Sequence, residues 1–273
     1  MTAGLRIGVI GTGEMGRPLV DRLLGAGHEV IAHARRPEVR DELSAAGVEV
    51  VDSPEAVGPG SDIVVLYVFS DDQIRELALT GGLVDAMEPG SLLAIGTTGS
   101  PATAVAIAER GAVRGVHVVD VPASGGPVQV AAGTLTVFVG GDAAHVAQAA
   151  PLLDAYTAAA VHFGPVGSGQ KVKLLNNLLF GANVELAVEA ARLCAELGLD
   201  EHSVTTTLHG CSGGSAAIDM AAAMGSAAAL LDLAGRFVHK DVVVARDLAA
   251  GLGIDLGTLG PVTDRVLDRT AAR

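Results

Sequence analysis

Tryptophan is missing from this 273-residue chain, and aromatic residues make up only 3% of it. A stacking platform for nucleic-acid bases needs several exposed rings, so that mode of binding is set aside. Basic residues are scarce too: 18 Lys and Arg stand against 31 Asp and Glu, for a formal net charge of −13. Such a surface repels nucleic acid and anionic lipid. Each basic residue beside a motif is therefore informative, because an anionic ligand must be met by local positive charge. Only two cysteines occur, Cys194 and Cys211, too few for a disulfide framework, and a reducing cytoplasm is the expected compartment. No apolar run is long and clean enough to span a bilayer. The opening MTAGLRIGVIG enters a strand-like run without the layout of a signal peptide. Neither a membrane nor nucleic acid is expected as a partner.

What the chain does have is apolar residues in quantity, 49% of the total, enough for a sizeable core. In the first half they come as short runs: LRIGVIG, HEVIAHA, DIVVLYVF, SLLAIG and VRGVHVVDV, with TLTVFVGGD and AAAVHFG after them. Helical pieces such as PEVRDELSAAG, DDQIRELAL and PATAVAIAERG lie between. Strands alternating with helices imply βαβ units and a parallel sheet. Beyond about residue 165 the pattern turns helical: one long helix over 167–197, then 201–209, about 215–230, 236–251 and 261–271. The fold class is α/β, with a doubly wound, mostly parallel Rossmann-type domain over 1–165. An all-α substrate and dimerisation domain follows over 166–273, joined to the first by the long helix.

GTGEMG (Gly11, Thr12, Gly13, Glu14, Met15, Gly16) follows a strand and opens a helix at the start of a βαβ unit. That context makes G-x-G-x-x-G a dinucleotide signal. Gly11 permits the tight turn, Gly13 lets backbone approach a pyrophosphate, and Gly16 lets helix and strand pack closely. An NAD site usually carries Asp or Glu at the end of the second strand, for the ribose 2′-hydroxyl. Here His33, Ala34, Arg35 and Arg36 stand there, with no carboxylate between Glu29 and Glu38. Two arginines suit a 2′-phosphate instead, so NADP(H) is expected in preference to NAD(H), which stays possible.

Four further stretches agree. DVPASGG (120–126), running on through AAGTL, resembles the substrate-binding motif of the β-hydroxyacid dehydrogenases. GSGQKVKLLNN is similar to their catalytic G-x-x-x-K-x-x-x-N, with Gly169, Lys173 and Asn177 in place. FVHKD (237–241) resembles their C-terminal Phe-x-x-Lys-Asp, and TTGSP (97–101) their Ser-Thr-x-x-Pro, with Thr97 in place of the serine. The resemblance covers nearly the whole chain. It implies that Arg35 contacts the 2′-phosphate and that Val68, Phe69 and Ser70 lie along the cofactor. Thr98 would sit by the nicotinamide ribose. Ser124, Gly125 and Gly126 would hold a substrate carboxylate by hydroxyl and backbone N–H. Lys173 would be the acid/base, Asn177 its orienting partner, and Lys240 would close the pocket near nicotinamide and substrate. Many members continue through a further acidic segment, whereas this sequence ends at Arg273, so other residues are expected to take that segment's place.

The residues support the lysine on their own. Interconverting an alcohol and a carbonyl needs a hydride from or to a cofactor and a proton from or to a side chain. A lysine has an ordinary pKa of ~10.4, and burial moves it toward working pH. On a helix, Gly169, Lys173 and Asn177 stack four apart on one face, with Asn176 at its border and Lys171 turned roughly 200° away. Gly169 leaves room for a ligand or for backbone. Asp120 is read as orienting its loop, and Asp241 as a partner of Lys240 or a surface charge. His209 and Cys211 lack companions at metal spacing. The expected activity is NADP(H)-dependent interconversion of a small 3-hydroxy acid and its semialdehyde or keto acid. An imine reductase of related architecture and a non-catalytic NADPH-binding scaffold are the alternatives. The apolar surface of helix 167–197 needs cover, and with the family resemblance it points to a homodimer or homotetramer.

Overall fold

Where the apolar runs are rich in β-branched residues, they form strands. The computed structural model describes residues 4–271, so the expectations about the first residues and about Arg273 lie outside the described residues. The chain runs β1 (Arg6–Ile10), α1 (Gly16–Gly25), β2 (Glu29–His33), α2 (Pro37–Ala45), β3 (Glu49–Val51), β4 (Ile63–Leu66), α3 (Asp71–Arg75) and α4 (Leu83–Ala86). It continues through β5 (Leu92–Ile95), α5 (Pro101–Arg114) and β6 (His117–Asp120). These six strands pair in parallel in the order β3-β2-β1-β4-β5-β6. Strand order reverses at β1, between β2 and β4, and ligands of such sheets lie beyond the carboxyl ends of the strands at that point.

Side chains alternate across the sheet with period two. Ile63 and Val65 of β4 face one core, with Ile7, Val9, Leu92 and Ala94. Val64 and Leu66 face the other, with Ile10, Leu93 and Ile95. Both faces are covered, which is why β4 and β5 read as unbroken apolar runs. A second sheet joins β7 (Ala123–Ser124), β8 (Leu135–Val139) and β9 (Thr157–His162), with α6 (Pro127–Ala132) and α7 (Ala143–Asp154) between its strands. The sequence reading did not anticipate β3, β7, α6 or α7.

Helices follow: α8 (Ser168–Leu197), α9 (Glu201–Leu208), α10 (Ala216–Met224), α11 (Ala227–Gly251) and α12 (Leu259–Thr270). The break expected after residue 230 falls at 225–226 instead. Gly225 takes φ 88°, a left-handed conformation suited to glycine, and Ser226 caps the next helix by accepting from the Ala229 N–H at 3.1 Å. From there α11 runs unbroken through Gly235, where a Cβ would come 3.2 Å from the Thr270 methyl, so the glycine lets α12 pack closely. The chain divides into two compact units inside α8, the first ending at Lys173 and the second beginning at Leu174. The second has its own core, including Leu174, Leu178, Val184, Leu230, Val242 and Val266.

Candidate active site

The turn from β1 into α1 shows what each glycine is for. Gly11 takes φ 102°, and a Cβ there would strike the Tyr67 carbonyl. A Cβ at Gly16 would strike the Gly11 carbonyl oxygen, so this glycine closes the turn onto the helix. A Cβ at Gly13 would meet nothing within 4 Å. The room over Gly13 is thus left open by the protein, as an approaching pyrophosphate requires. The first turn of α1 has no acidic residue to repel an anion and no side-chain cap, although the Arg17 N–H already donates to the Gly13 carbonyl at 2.9 Å and Pro18 has no N–H. Thr12, Glu14 and Met15 lie on this loop, Glu14 exposed. At the end of β2, Arg35 and Arg36 are exposed. Arg36 lies 3.8 Å from Glu38, a screened surface pair. These residues fit a dinucleotide.

The loop after β4 has its backbone donors occupied. Val68 N–H donates to Thr97 Oγ1 at 2.8 Å, and Phe69 N–H to Gln73 Oε1 at 2.8 Å. Ser70 caps α3, its hydroxyl accepting from the Gln73 N–H. What this loop offers a ligand is therefore side chain and carbonyl, including the exposed Phe69 ring. Thr98 is half-buried between two residues fixed by one side chain. Gln170 Nε2 donates to the Thr97 carbonyl at 2.8 Å, and Gly99 N–H donates to Gln170 Oε1 at 2.9 Å.

Asp120, at the end of β6, is wholly buried. Its carboxylate accepts from the Gly167 N–H at 2.6 Å and the Gln170 N–H at 2.7 Å, so it anchors the start of α8. Burial pushes its pKa above the ordinary carboxylate value, against the opposing pull of these N–H bonds. A Cβ at Gly169 would strike the Phe138 carbonyl and crowd Asp120. The room at Gly169 is therefore taken by β8 backbone and by Asp120. Sequence reading missed Gln170 altogether. Nothing local marks it, since its side-chain partners lie 71 and 73 residues away.

Lys173 is half-buried on α8, one turn beyond Gln170, while Lys171 is exposed. In the first unit, Ser124 ends β7 half-buried and Gly125 takes φ 122°. The Gly126 N–H donates to Gln129 Oε1 at 2.9 Å, so this donor is engaged by its own loop. In the second unit, buried Asn177 donates its amide N–H to Asp241 and accepts from Asn176 Nδ2 at 3.0 Å. Lys240 Nζ donates to the other Asp241 oxygen at 2.5 Å. A carboxylate only accepts, so Asp241 fixes which way the Asn177 amide faces. Asp241 is thus the common partner of both predicted residues, a role its place beside Lys240 signalled only in part. Among the described residues, no group of three or more His, Cys, Asp or Glu is placed to hold a metal ion.

The model of the NAD binding domain of 6-phosphogluconate dehydrogenase matches residues 6–164. That of the NAD-binding region of NADP-dependent 3-hydroxyisobutyrate dehydrogenase matches 167–272. The chain belongs to the β-hydroxyacid dehydrogenase family. It is 33% identical to the NAD-dependent L-serine dehydrogenase of Pseudomonas aeruginosa over 89% of its own length and 83% of the relative's. Identity to the 2-(hydroxymethyl)glutarate dehydrogenase of Eubacterium barkeri is 31%, covering 96% of this chain and 85% of that one. The 3-hydroxyisobutyrate dehydrogenase of Mycobacterium tuberculosis, solved with L-serine, superposes with a TM-score of 0.86 at 26% identity, covering 98% and 94% of the two chains. Membership of this dehydrogenase family carries NAD(P)-dependent hydroxyacid dehydrogenase activity. Among the described residues, no single helix is long and apolar enough to cross a membrane.

Proposed function

We propose that this β-hydroxyacid dehydrogenase interconverts a small 3-hydroxy acid and its semialdehyde or keto acid, with NADP(H) preferred to NAD(H). When bound, the nicotinamide supplies or takes the hydride. In reduction, Lys173 gives a proton from Nζ to the carbonyl oxygen as it becomes a hydroxyl; in oxidation its amine takes that proton back. The Ser124 hydroxyl and the Gly125 N–H hold the carboxylate, and Gly126 joins them once the Gln129 amide turns aside. Asn177, held by Asp241, orients the proton-transfer group, and Lys240 contributes its charge to substrate binding.

The observation that carries the reading is the half-buried Lys173, one turn from a helix start bonded directly to the Thr97–Gly99 loop. Lys173→Met tests it. The variant should fold and bind NADPH with a Kd within about twofold of wild type, while kcat falls by ~10²-fold or more. Near-normal turnover would overturn the assignment.

The NADP(H) preference rests on Arg35 and Arg36. Arg35→Ala should raise the KM for NADPH by about tenfold and leave that for NADH nearly unchanged, given the strength of a charge-assisted bond. Equal loss with both cofactors would assign the arginine elsewhere. The substrate panel should contain small hydroxy acids and semialdehydes, serine included because a relative acts on it. The second unit serves substrate binding and self-association. Leu175, Leu179, Leu186, Leu193 and Leu197 are exposed along α8 at spacings of four and seven, the surface of a homodimer or homotetramer that light scattering would read. Two free cysteines fit a reducing cytoplasm.

A further inference from the structure

We infer that Gln170 is a positioning residue for proton transfer, an inference that rests on Lys173 as the acid/base. Gln170 is almost fully buried, at 1% exposure, and the hydrogen bonds of its side chain go to backbone groups. Its amide does two jobs at once. The oxygen accepts from the Gly99 N–H at 2.9 Å, and the nitrogen donates to the Thr97 carbonyl at 2.8 Å. These bonds straddle Thr98. The backbone N–H of the same residue goes to Asp120 at 2.7 Å. Thr97 in turn holds the loop after β4, its hydroxyl accepting from the Val68 N–H at 2.8 Å. The carboxyl ends of β4, β5 and β6 are therefore drawn together on the first turn of α8.

Lys173 follows Gln170 by three residues, on the neighbouring turn of the same helix. Any rotation or slip of that turn against the Thr98 loop moves the ammonium relative to whatever lies on the loop. Proton transfer tolerates little misplacement, and a shift of about 1 Å is enough to cost on the order of 10²-fold. A side chain that only filled space here could be aliphatic. The need for one acceptor and one donor, aimed at two backbone groups two residues apart, demands an amide.

That demand supplies the test. In Gln170→Glu, the carboxyl can still accept from Gly99, but ionised it sets an oxygen against the Thr97 carbonyl. Protonation restores the donor. The titratable neighbours are Asp71 beside Gly99, Asp120, and Lys171 and Lys173 on the helix. Burial and the adjacent Asp120 raise the pKa of the introduced carboxyl into an accessible range. The ratio of Gln170→Glu to wild-type kcat should rise at least ~10-fold between about pH 8 and about pH 5.5, while the Gln170→Ala ratio stays low and flat. Gln170→Ala should lose ~10²-fold in kcat. Both variants should keep the NADPH Kd, read by nicotinamide fluorescence, within about threefold of wild type. In the cofactor-free protein, acetylation of Lys173 measured by mass spectrometry should quicken at least ~3-fold in Gln170→Ala, because the turn has lost its fastening.

A flat pH ratio for Gln170→Glu overturns the inference, as does a Gln170→Ala kcat within about threefold of wild type. If Gln170→Ala does not fold, the Gln170→Glu pH ratio alone decides. Lys173→Met separates the two ideas. Activity retained there refutes the acid/base reading itself, whereas activity lost there but kept in both Gln170 variants refutes only the positioning role.

Discussion

The same helix, α8, is fastened twice by different chemistry. At its start, in the first unit, the Gly167 and Gln170 N–H groups meet one buried carboxylate, Asp120, while the neutral Gln170 amide meets the Thr97 carbonyl and the Gly99 N–H. Past Leu174, in the second unit, the fastening is between side chains: Asn176 to Asn177, Asn177 to Asp241, and Lys240 to Asp241. Every bond of the first arrangement has a backbone group at one end, which mutation cannot remove, so only the Asp120 carboxylate and the Gln170 amide can be taken away. The second consists of rotatable groups around a charge pair whose side chains keep 19% and 12% exposure. The difference is between a joint of side chains to backbone and one of side chains to side chains, and it predicts different costs on breaking.

Asp120→Ala should cost most. It strands two buried N–H groups, at about 1–3 kcal/mol each, so urea denaturation should show a loss of about 2–6 kcal/mol. Asp120→Asn sharpens the point through its pH dependence. Burial holds the Asp120 pKa above its unfolded value of about 3.9, so folding favours the protonated form. Its contribution is therefore full below the unfolded pKa and lost as pH rises through the folded one. The margin of wild type over Asp120→Asn should widen as the solution is acidified, and a margin that narrows on acidification would contradict the burial argument.

Asp241→Ala should cost less stability, about 1–3 kcal/mol, because Lys240 can turn toward water. Its mark should be kinetic: kcat down by roughly tenfold with the Asn177 amide free to flip, and Asp241→Asn no better, since an amide cannot accept from both partners as a carboxylate does. An Asp241→Ala enzyme with unchanged kcat would make this second network structural only. Lys171→Ala should do least, with stability within about 0.5 kcal/mol of wild type and turnover unchanged, as expected for an exposed side chain. A large effect there would blur the distinction between the two lysines.

The parts legible in the sequence were those whose reason is local. Gly11, Gly13 and Gly16 are read from spacing because the turn they serve is five residues long. That Gly169, Lys173 and Asn177 fall four apart along one helix is read from helical period. The alternation of Ile63, Val64, Val65 and Leu66 is masked because both sheet faces are buried, yet the run still reads as a strand. Non-local reasons stayed hidden. Gln170 is defined by partners some seventy residues away, and Asp241 by one 64 residues away. The helix break at Gly225 was misplaced because alanine-rich sequence on both sides has uniform helix propensity, leaving only a Gly-Ser pair to mark it. Gly169 showed room without showing what fills it.

The three glycines of the first turn also differ in what selection can see. Substituting Gly11 or Gly16 injures the protein before any ligand arrives, because the added carbon collides with its own backbone. Gly13 is different: an added carbon meets no atom of the protein. A Gly13→Ala chain would fold, resist proteolysis and accumulate like its parent, and be deficient only toward the dinucleotide. On the proposed reading, the middle position answers to the ligand and the outer two to the fold.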